Sequence, residues 1–80
     1  MVSCRYFAIA REIVGGSVEH YEAAPSVGDL VKVIIDRHGE SFQKILGISA
    51  IWVNGDPATL DTELHDGDEM AILPPVSGGM

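Results

Sequence analysis

The residues of this chain best suited to chemistry are Gly78 and Gly79, which stand directly before its last residue, Met80. A glycine carboxylate at the end of a chain has no side chain beside it, so it is an unhindered nucleophile toward the α-phosphate of ATP. The acyl-adenylate formed in this way could then accept sulfur or an amine. The pattern predicts that Gly79 is the reactive residue once its carboxylate is free.

The segment that carries these glycines begins with Pro74-Pro75 and continues through Val76 and Ser77. Prolines favour an extended chain and reduce the entropy lost when the segment binds a partner. Six extended residues reach about 20 Å, which is long enough to enter a cleft while the domain stays outside. A Gly-Gly end alone is often only a frayed terminus. The double proline directly after a predicted strand favours a flexible, functional tail over residues 74–80.

Length and composition indicate one globular domain over residues 1–80. The chain is 46% hydrophobic and carries a formal charge of -7, and it has no Lys or Arg after residue 44. Nucleic-acid binding is not expected, because phosphate contacts need clustered cations. The acidic half suits either a basic protein partner or a solvated surface. No apolar run approaches the about 18 residues of a membrane span, and no signal peptide is evident, so we expect a cytoplasmic protein.

The elements that must position the tail follow from periodicity and turn residues. Strands are predicted over residues 2–8, 17–23, 49–53, 57–60 and 69–73. A short helical turn over 9–14 ends at Gly15-Gly16. The main helix starts at the N-cap Ser26 and stops at Gly39. Its inward stripe is predicted to comprise Leu30, Val33, Ile34 and His38, widened by Val31 and Ile35.

Two turn signals complete the pattern, Asn54-Gly55 and Asp66-Gly67. The order is strand, strand, helix and then strands. This order predicts an α+β fold of the β-grasp (ubiquitin-like) kind, a mixed sheet covered on one face by one main helix. In the last strand, Met70 and Ile72 are predicted to share one face, and pairing should fade at Pro74, which has no N–H to donate.

Catalytic machinery is not evident elsewhere in the chain. The single cysteine, Cys4, lies in an apolar strand pattern, which favours a buried thiol. The three histidines lack the spacing of a zinc site, and we expect His38 to be a partly buried or capping residue. No phosphate-binding loop and no nucleophile with a recognisable base is present. We expect no metal site, and we expect the chain to be non-catalytic on its own.

Several segments resemble one family nearly end to end. They are Tyr6-Phe7-Ala8 with residues 11–15, Val53-Asn54-Gly55, and above all the closing block 64–79, Leu-His-Asp-Gly-Asp-Glu-Met-Ala-Ile-Leu-Pro-Pro-Val-Ser-Gly-Gly. This closing block resembles that of the MoaD-like small subunits of molybdopterin synthase, within the ThiS/MoaD sulfur carriers. The resemblance implies a β-grasp fold and a reaction cycle carried by Gly79.

In that cycle, an E1-like adenylating enzyme activates the Gly79 carboxylate with ATP and Mg²⁺, which this partner binds. A sulfur donor then converts the adenylate to a thiocarboxylate. The large subunit of molybdopterin synthase receives the tail and uses the sulfur to build the dithiolene of molybdopterin. The resemblance implies that the tail from Pro74 to Ser77 threads into this partner. Gly78, which has no side chain, directly precedes the covalent carrier Gly79. It also places Phe7 and Arg11 near partner surfaces.

Met80 departs from the family pattern, because a peptide bond at Gly79 leaves no carboxylate to adenylate. We expect a precursor that a protease or hydrolase cuts after Gly79. A residue added by cloning and a variant unable to carry sulfur are the rival accounts.

Three other functions fit the same tail. One is a sulfur carrier for thiazole or another thio-metabolite. The second is a ubiquitin-like modifier joined through Gly79 to lysines of target proteins. The third is a plain interaction domain with an idle tail.

Overall fold

Five strands and three helices make up residues 1–75, the part of the chain that the computed structural model describes. The strands are β1 (Val2–Tyr6), β2 (Val18–Tyr21), β3 (Ala50–Val53), β4 (Asp56–Pro57) and β5 (Glu69–Leu73). The helices are α1 (Ala8–Val14), α2 (Val27–His38) and α3 (Glu40–Leu46).

The strands form one mixed sheet in the order β2-β1-β5-β3-β4. The first and last strands, β1 and β5, pair in parallel, and the other neighbours pair antiparallel. This arrangement confirms the predicted β-grasp fold. It places β5, the strand that leads into the tail, at the centre of the sheet.

The core lies between the sheet and the helices, and strand alternation decides which side chains enter it. Cys4 and Tyr6 of β1 and Met70 and Ile72 of β5 are fully buried there, as predicted. Phe42 of α3 closes the core, with its ring 5.9 Å from that of Tyr6 in an edge-to-face arrangement. The intervening strand residues point to the opposite face of the sheet.

The main helix begins and ends where the sequence predicts. The Oγ of Ser26 accepts a hydrogen bond from the backbone N–H of Asp29 at 3.2 Å, and Gly39 follows the helix with a φ of 86°. The prediction for Val33 is wrong, because its side chain is 49% exposed. The buried stripe of α2 consists instead of Val27, Leu30, Val31 and Ile34.

Three elements differ from the sequence prediction. Strand β1 ends at Tyr6 and Ala8 already belongs to α1, where a strand over residues 2–8 was expected. Helix α3 was not predicted, although Phe42, Ile45 and Leu46 recur at helical spacing and turn toward the core. It lacks a side-chain N-cap, so its seven residues carry no start signal. Strand β4 covers only Asp56–Pro57, where a strand over residues 57–60 was expected, because it pairs with β3 only next to the turn.

The Asn54-Gly55 turn is confirmed, with φ angles of 51° and 85°. The Asn54 side chain also ties β3 to the start of β5. Its Nδ2 donates to Asp68 at 2.9 Å, and its Oδ1 accepts from the N–H of Glu69 at 2.9 Å. The Asn54 amide, together with the N–H of His65, holds the pKa of the Asp68 carboxyl below its usual value. A turn residue therefore also organises the loop before β5.

Ala8, which opens α1, has a φ of 51°, a left-handed conformation that costs a residue with a Cβ about 1–2 kcal/mol. We expect Ala8→Gly to stabilise the protein by about 0.5–1 kcal/mol, because glycine adopts this conformation without strain. Urea unfolding measures the difference. The matched control is Ala10→Gly, at a buried position in the same helix, which should destabilise the protein. A loss of stability in Ala8→Gly would contradict the prediction.

None of the helices within residues 1–75 is long and apolar enough to cross a membrane.

Candidate functional site

The candidate site begins where β5 ends. Pairing stops at Leu73, as the missing N–H of Pro74 predicts. Pro74 is buried and Pro75 is exposed. The remaining predicted tail residues lie outside the described residues, and so does the predicted flexibility of the tail beyond Pro75. They are Val76, Ser77, Gly78, Gly79 and the cleavage partner Met80.

Strand β5 ends in the middle of the sheet, between β1 and β3. Leu73 pairs with Ala50 of β3 on one side. On the other side, the N–H of Phe7 donates to the carbonyl of Ile72 at 3.2 Å. The Phe7 side chain is 42% exposed, and Arg11 is exposed on the helix that follows. The structure thus brings Phe7 next to the end of β5, whereas Arg11 lies one helical turn further along the chain, on α1.

The sheet face that points away from the helices extends to the end of β5. Ala71 of β5 pairs with Trp52 on one side and with Arg5 on the other, and Arg5 pairs in turn with Val18. We call these residues and Leu73 the open sheet face. Trp52 and Val18 are 38% and 41% exposed. Neither residue was predicted for the site. Strand alternation could have indicated Trp52, because its neighbour Val53 is buried on the opposite face of β3.

The charged residues beside the open sheet face lie mainly at one end of it. The Nε of Arg5 lies 3.3 Å from an Oε of Glu69, at the end of β5 away from the tail. At that same end, the amino group of Met1 forms an ion pair with Asp66. A strand of this length spans about 16 Å. The acidic residues at that end, Asp66, Asp68 and Glu69, therefore lie away from the apolar region around Phe7 and Leu73.

A second group of polar side chains lies on the helix side of the sheet. Glu19 of β2 accepts hydrogen bonds from the hydroxyls of Tyr6 at 2.7 Å and Tyr21 at 2.6 Å. The Nε2 of His38 lies 2.9 Å from the same oxygen, and the Nε of Arg37 lies 3.6 Å from the other. We call these five residues the Glu19 cluster. His38 is partly buried, as predicted.

The environment of the Glu19 cluster shifts the pKa of its members. Burial acts to raise the pKa of Glu19, but hydrogen bonds from Tyr21, His38 and Tyr6 outweigh it, so the pKa lies below the ordinary 4.5. Burial, with the bond to Glu19, raises the pKa of Tyr21 to about 12. The cluster is thus built around one ionised carboxylate, and it joins β1, β2 and α2.

The buried thiol of Cys4 is not an activated nucleophile. Its side chain is inaccessible, and burial raises its pKa to about 12. A thiol reacts as its thiolate, which this environment disfavours. Within residues 1–75, no group of three or more His, Cys, Asp or Glu side chains is arranged to hold a metal ion.

Comparison with known sequences connects the tail to one family. The ThiS family model matches residues 4–79. A molybdopterin synthase sulfur carrier subunit of Phaeosphaeria nodorum is 36% identical, over 96% of this chain and 88% of that protein. One of the same description from Pyrenophora tritici-repentis is 32% identical over the same shares.

Solved structures agree with the sequence comparison. The small archaeal modifier protein 1 of Methanosarcina acetivorans superposes with a TM-score of 0.86 at 28% identity, covering 98% of this chain and 95% of that one. A complex of subunits 1 and 2 of the molybdopterin-converting factor from Helicobacter pylori contains a chain with a TM-score of 0.71 at 30% identity, covering 98% and 97%. The chain belongs to the ThiS family, and molybdopterin synthase sulfur carrier subunits are among its relatives.

Proposed function

We propose that this protein is the sulfur carrier, or small, subunit of a molybdopterin synthase. The observation that carries the proposal is the family match, which extends through Gly79 and includes sulfur carrier subunits over almost the whole chain. In this proposal Gly79, after removal of Met80, is the covalent carrier of sulfur.

The proposed cycle needs one group from this chain, the Gly79 carboxylate. One of its oxygens attacks the α-phosphate of ATP, and pyrophosphate leaves. Hydrosulfide delivered by a donor then attacks the carbonyl carbon of the adenylate, AMP leaves with the bonding electron pair, and loss of the S–H proton yields the thiocarboxylate. The adenylating partner binds ATP and Mg²⁺. The sulfur later passes to the pterin precursor on the large subunit, which supplies the other catalytic groups.

The described residues support this role through the position of the tail. Because β5 is central, it ends beside both Phe7 and the open sheet face. An exposed aromatic beside a threaded segment is a typical anchor of a protein interface. We therefore propose that the large subunit contacts Phe7, Arg11 and the open sheet face while it receives Pro75 to Gly79. Pro74, being buried, would stay with the domain and fix the direction of exit.

We expect Phe7→Ala to weaken the complex with the large subunit about tenfold, because the partner loses an aromatic anchor at the base of the tail. Isothermal titration calorimetry with the purified large subunit measures this. Val33→Ala is the matched control, since Val33 is a similarly exposed apolar residue on α2, on the other side of the sheet. Equal losses in both variants would contradict the proposed contact.

The function itself is tested by reconstitution. The thiocarboxylated chain ending at Gly79 is mixed with the large subunit and cyclic pyranopterin monophosphate, and molybdopterin is measured. We expect product in proportion to the thiocarboxylate added. Absence of product, with an intact complex, would overturn the proposal.

A second candidate is a protein modifier joined to lysines through Gly79, which the likeness to the archaeal modifier protein supports. Immunoblotting of native cells separates the two. A ladder of conjugates that disappears with Gly79→Ala favours the modifier. Free thiocarboxylate and a stable complex with the large subunit favour the synthase. Transfer of sulfur to a thiazole precursor instead of the pterin would identify the alternative carrier function.

A further inference from the structure

A groove of about 650 Å³ lies between helix α2 and the end of β2 with the segment that follows it, residues 22–25. Tyr21 and Leu30, which are almost completely buried, lie at its base. Val33 also lines it and is 49% exposed. Val33 is one of the residues predicted to face the core, so the fold leaves this apolar side chain of α2 uncovered beside the groove.

Strand β2 provides the second feature of the groove. Within residues 1–75 it pairs with β1 alone and stands at the edge of the sheet. An edge strand presents backbone N–H and C=O groups that can pair with another extended chain. An added strand would lie about 4.8 Å from β2, and alternate side chains would point toward α2. The groove therefore has the form required for β-strand addition.

Charge indicates which kind of segment fits. Glu22 and Asp29 line the groove and are exposed, and the lining contains no Lys or Arg. The amino group of Met1, which also lines the groove, is paired with Asp66. Arg37 lies farther along α2, where it pairs with Glu19 and lies over the Tyr21 ring at 5.8 Å. The accessible charge of the groove is thus negative at the end near Glu22 and Asp29.

We propose that this β2–α2 groove binds an extended segment of a partner protein, with apolar side chains at alternate positions and Lys or Arg beside them. The segment adds to β2 as a sixth strand, its apolar side chains pack on Val33 and Tyr21, and its cations meet Glu22 and Asp29. The groove is two strands away from β5. Its occupant therefore leaves the tail free, and the protein can hold this partner while the tail is engaged elsewhere.

The probe for this proposal is the peptide acetyl-Lys-Lys-Val-Ile-Thr-Val-Lys-Lys-amide, titrated into the ¹⁵N-labelled full chain and followed by NMR. We expect amide shifts in Val18–Tyr21 and in residues 29–33. A peptide with Glu in place of every Lys should bind more weakly, and so should one with Pro in place of Thr, which cannot donate its backbone hydrogen bond.

Variants locate the contact. Glu22→Lys should weaken binding of the Lys peptide about fivefold, because an attractive pair becomes repulsive. Glu12→Lys, the same change on α1, should leave binding unchanged. Val33→Ser should also weaken binding, and circular dichroism checks that this exposed change leaves the fold intact. Equal binding of the Lys and Glu peptides, or shifts confined to β3 and β4, would overturn the proposal. If the protein self-associates through β2 and does not bind the peptide, the occupant of the groove is a second copy of this chain and the proposal is overturned.

Discussion

A chain that ends at Gly79 is expected to be adenylated and converted to the thiocarboxylate at least about 100-fold faster than one that ends at Met80. In the longer chain, Gly79 has a peptide bond in place of the carboxylate. The only available carboxylate at that end belongs to Met80, whose Cβ and thioether would enter a channel suited to glycine. Displacement of a reacting group by even about 1 Å can reduce a rate by this factor.

The comparison uses the two chains with the same adenylating enzyme, ATP, Mg²⁺ and sulfur donor. Mass spectrometry of the intact protein detects the replacement of one carboxylate oxygen by sulfur. A third chain that ends at Gly78 is the matched control, since its terminal residue is also glycine but the tail is one residue shorter. We expect the chain that ends at Gly78 to react poorly, because its carboxylate lies one residue short of the position that Gly79 reaches. Equal conversion of the Gly79 and Met80 chains would contradict the assignment of Gly79.

Processing in the cell is tested separately. The protein isolated from its native cells should end at Gly79. If the carrier retains Met80 in cells with active molybdenum enzymes, the precursor hypothesis is wrong.

The second large effect is on stability. Glu19→Ala is expected to lower the free energy of unfolding by about 2–4 kcal/mol, because it removes the common acceptor of three partly buried donors. Those donors are Tyr6, Tyr21 and His38. Urea denaturation at neutral pH measures the change. Glu22→Gln, an exposed change just beyond the same strand, should stay within about 0.5 kcal/mol of the natural protein.

The pH dependence tests the charge of Glu19. Its folded-state pKa is lowered below the ordinary 4.5, so its stabilising contribution is present above that pH and is lost as the pH falls through the folded-state value. Glu19→Gln removes the charge but keeps the side-chain shape. We expect its stability deficit at neutral pH to shrink as the pH falls below 4.5. A deficit independent of pH would mean that packing, and not the carboxylate, stabilises this part of the fold.

Local sequence signals account for much of the architecture. Alternation in residues 2–6 and 69–73 predicts that Cys4, Met70 and Ile72 enter the core, where they lie. The cap at Ser26 and the glycine at Gly39 mark the ends of α2. The prediction that Gly79 is the reactive residue rests on the Pro-Pro and Gly-Gly pairs alone and needs no knowledge of distant segments. These features depend on backbone preferences and on neighbours within a few residues, which a sequence displays directly.

The remaining features arise from packing, because they depend on which distant segments meet. Glu19 becomes a shared acceptor only when β1 and α2 pack beside β2. Helix α3 is recognisable only once Phe42 has a core to enter. Whether Val33 faces the core or a groove depends on how α2 lies across the sheet, which helical periodicity does not specify. The prediction of a reactive end thus rests on a few adjacent residues, whereas the surface beside the end of β5 exists only because remote strands and helices come together.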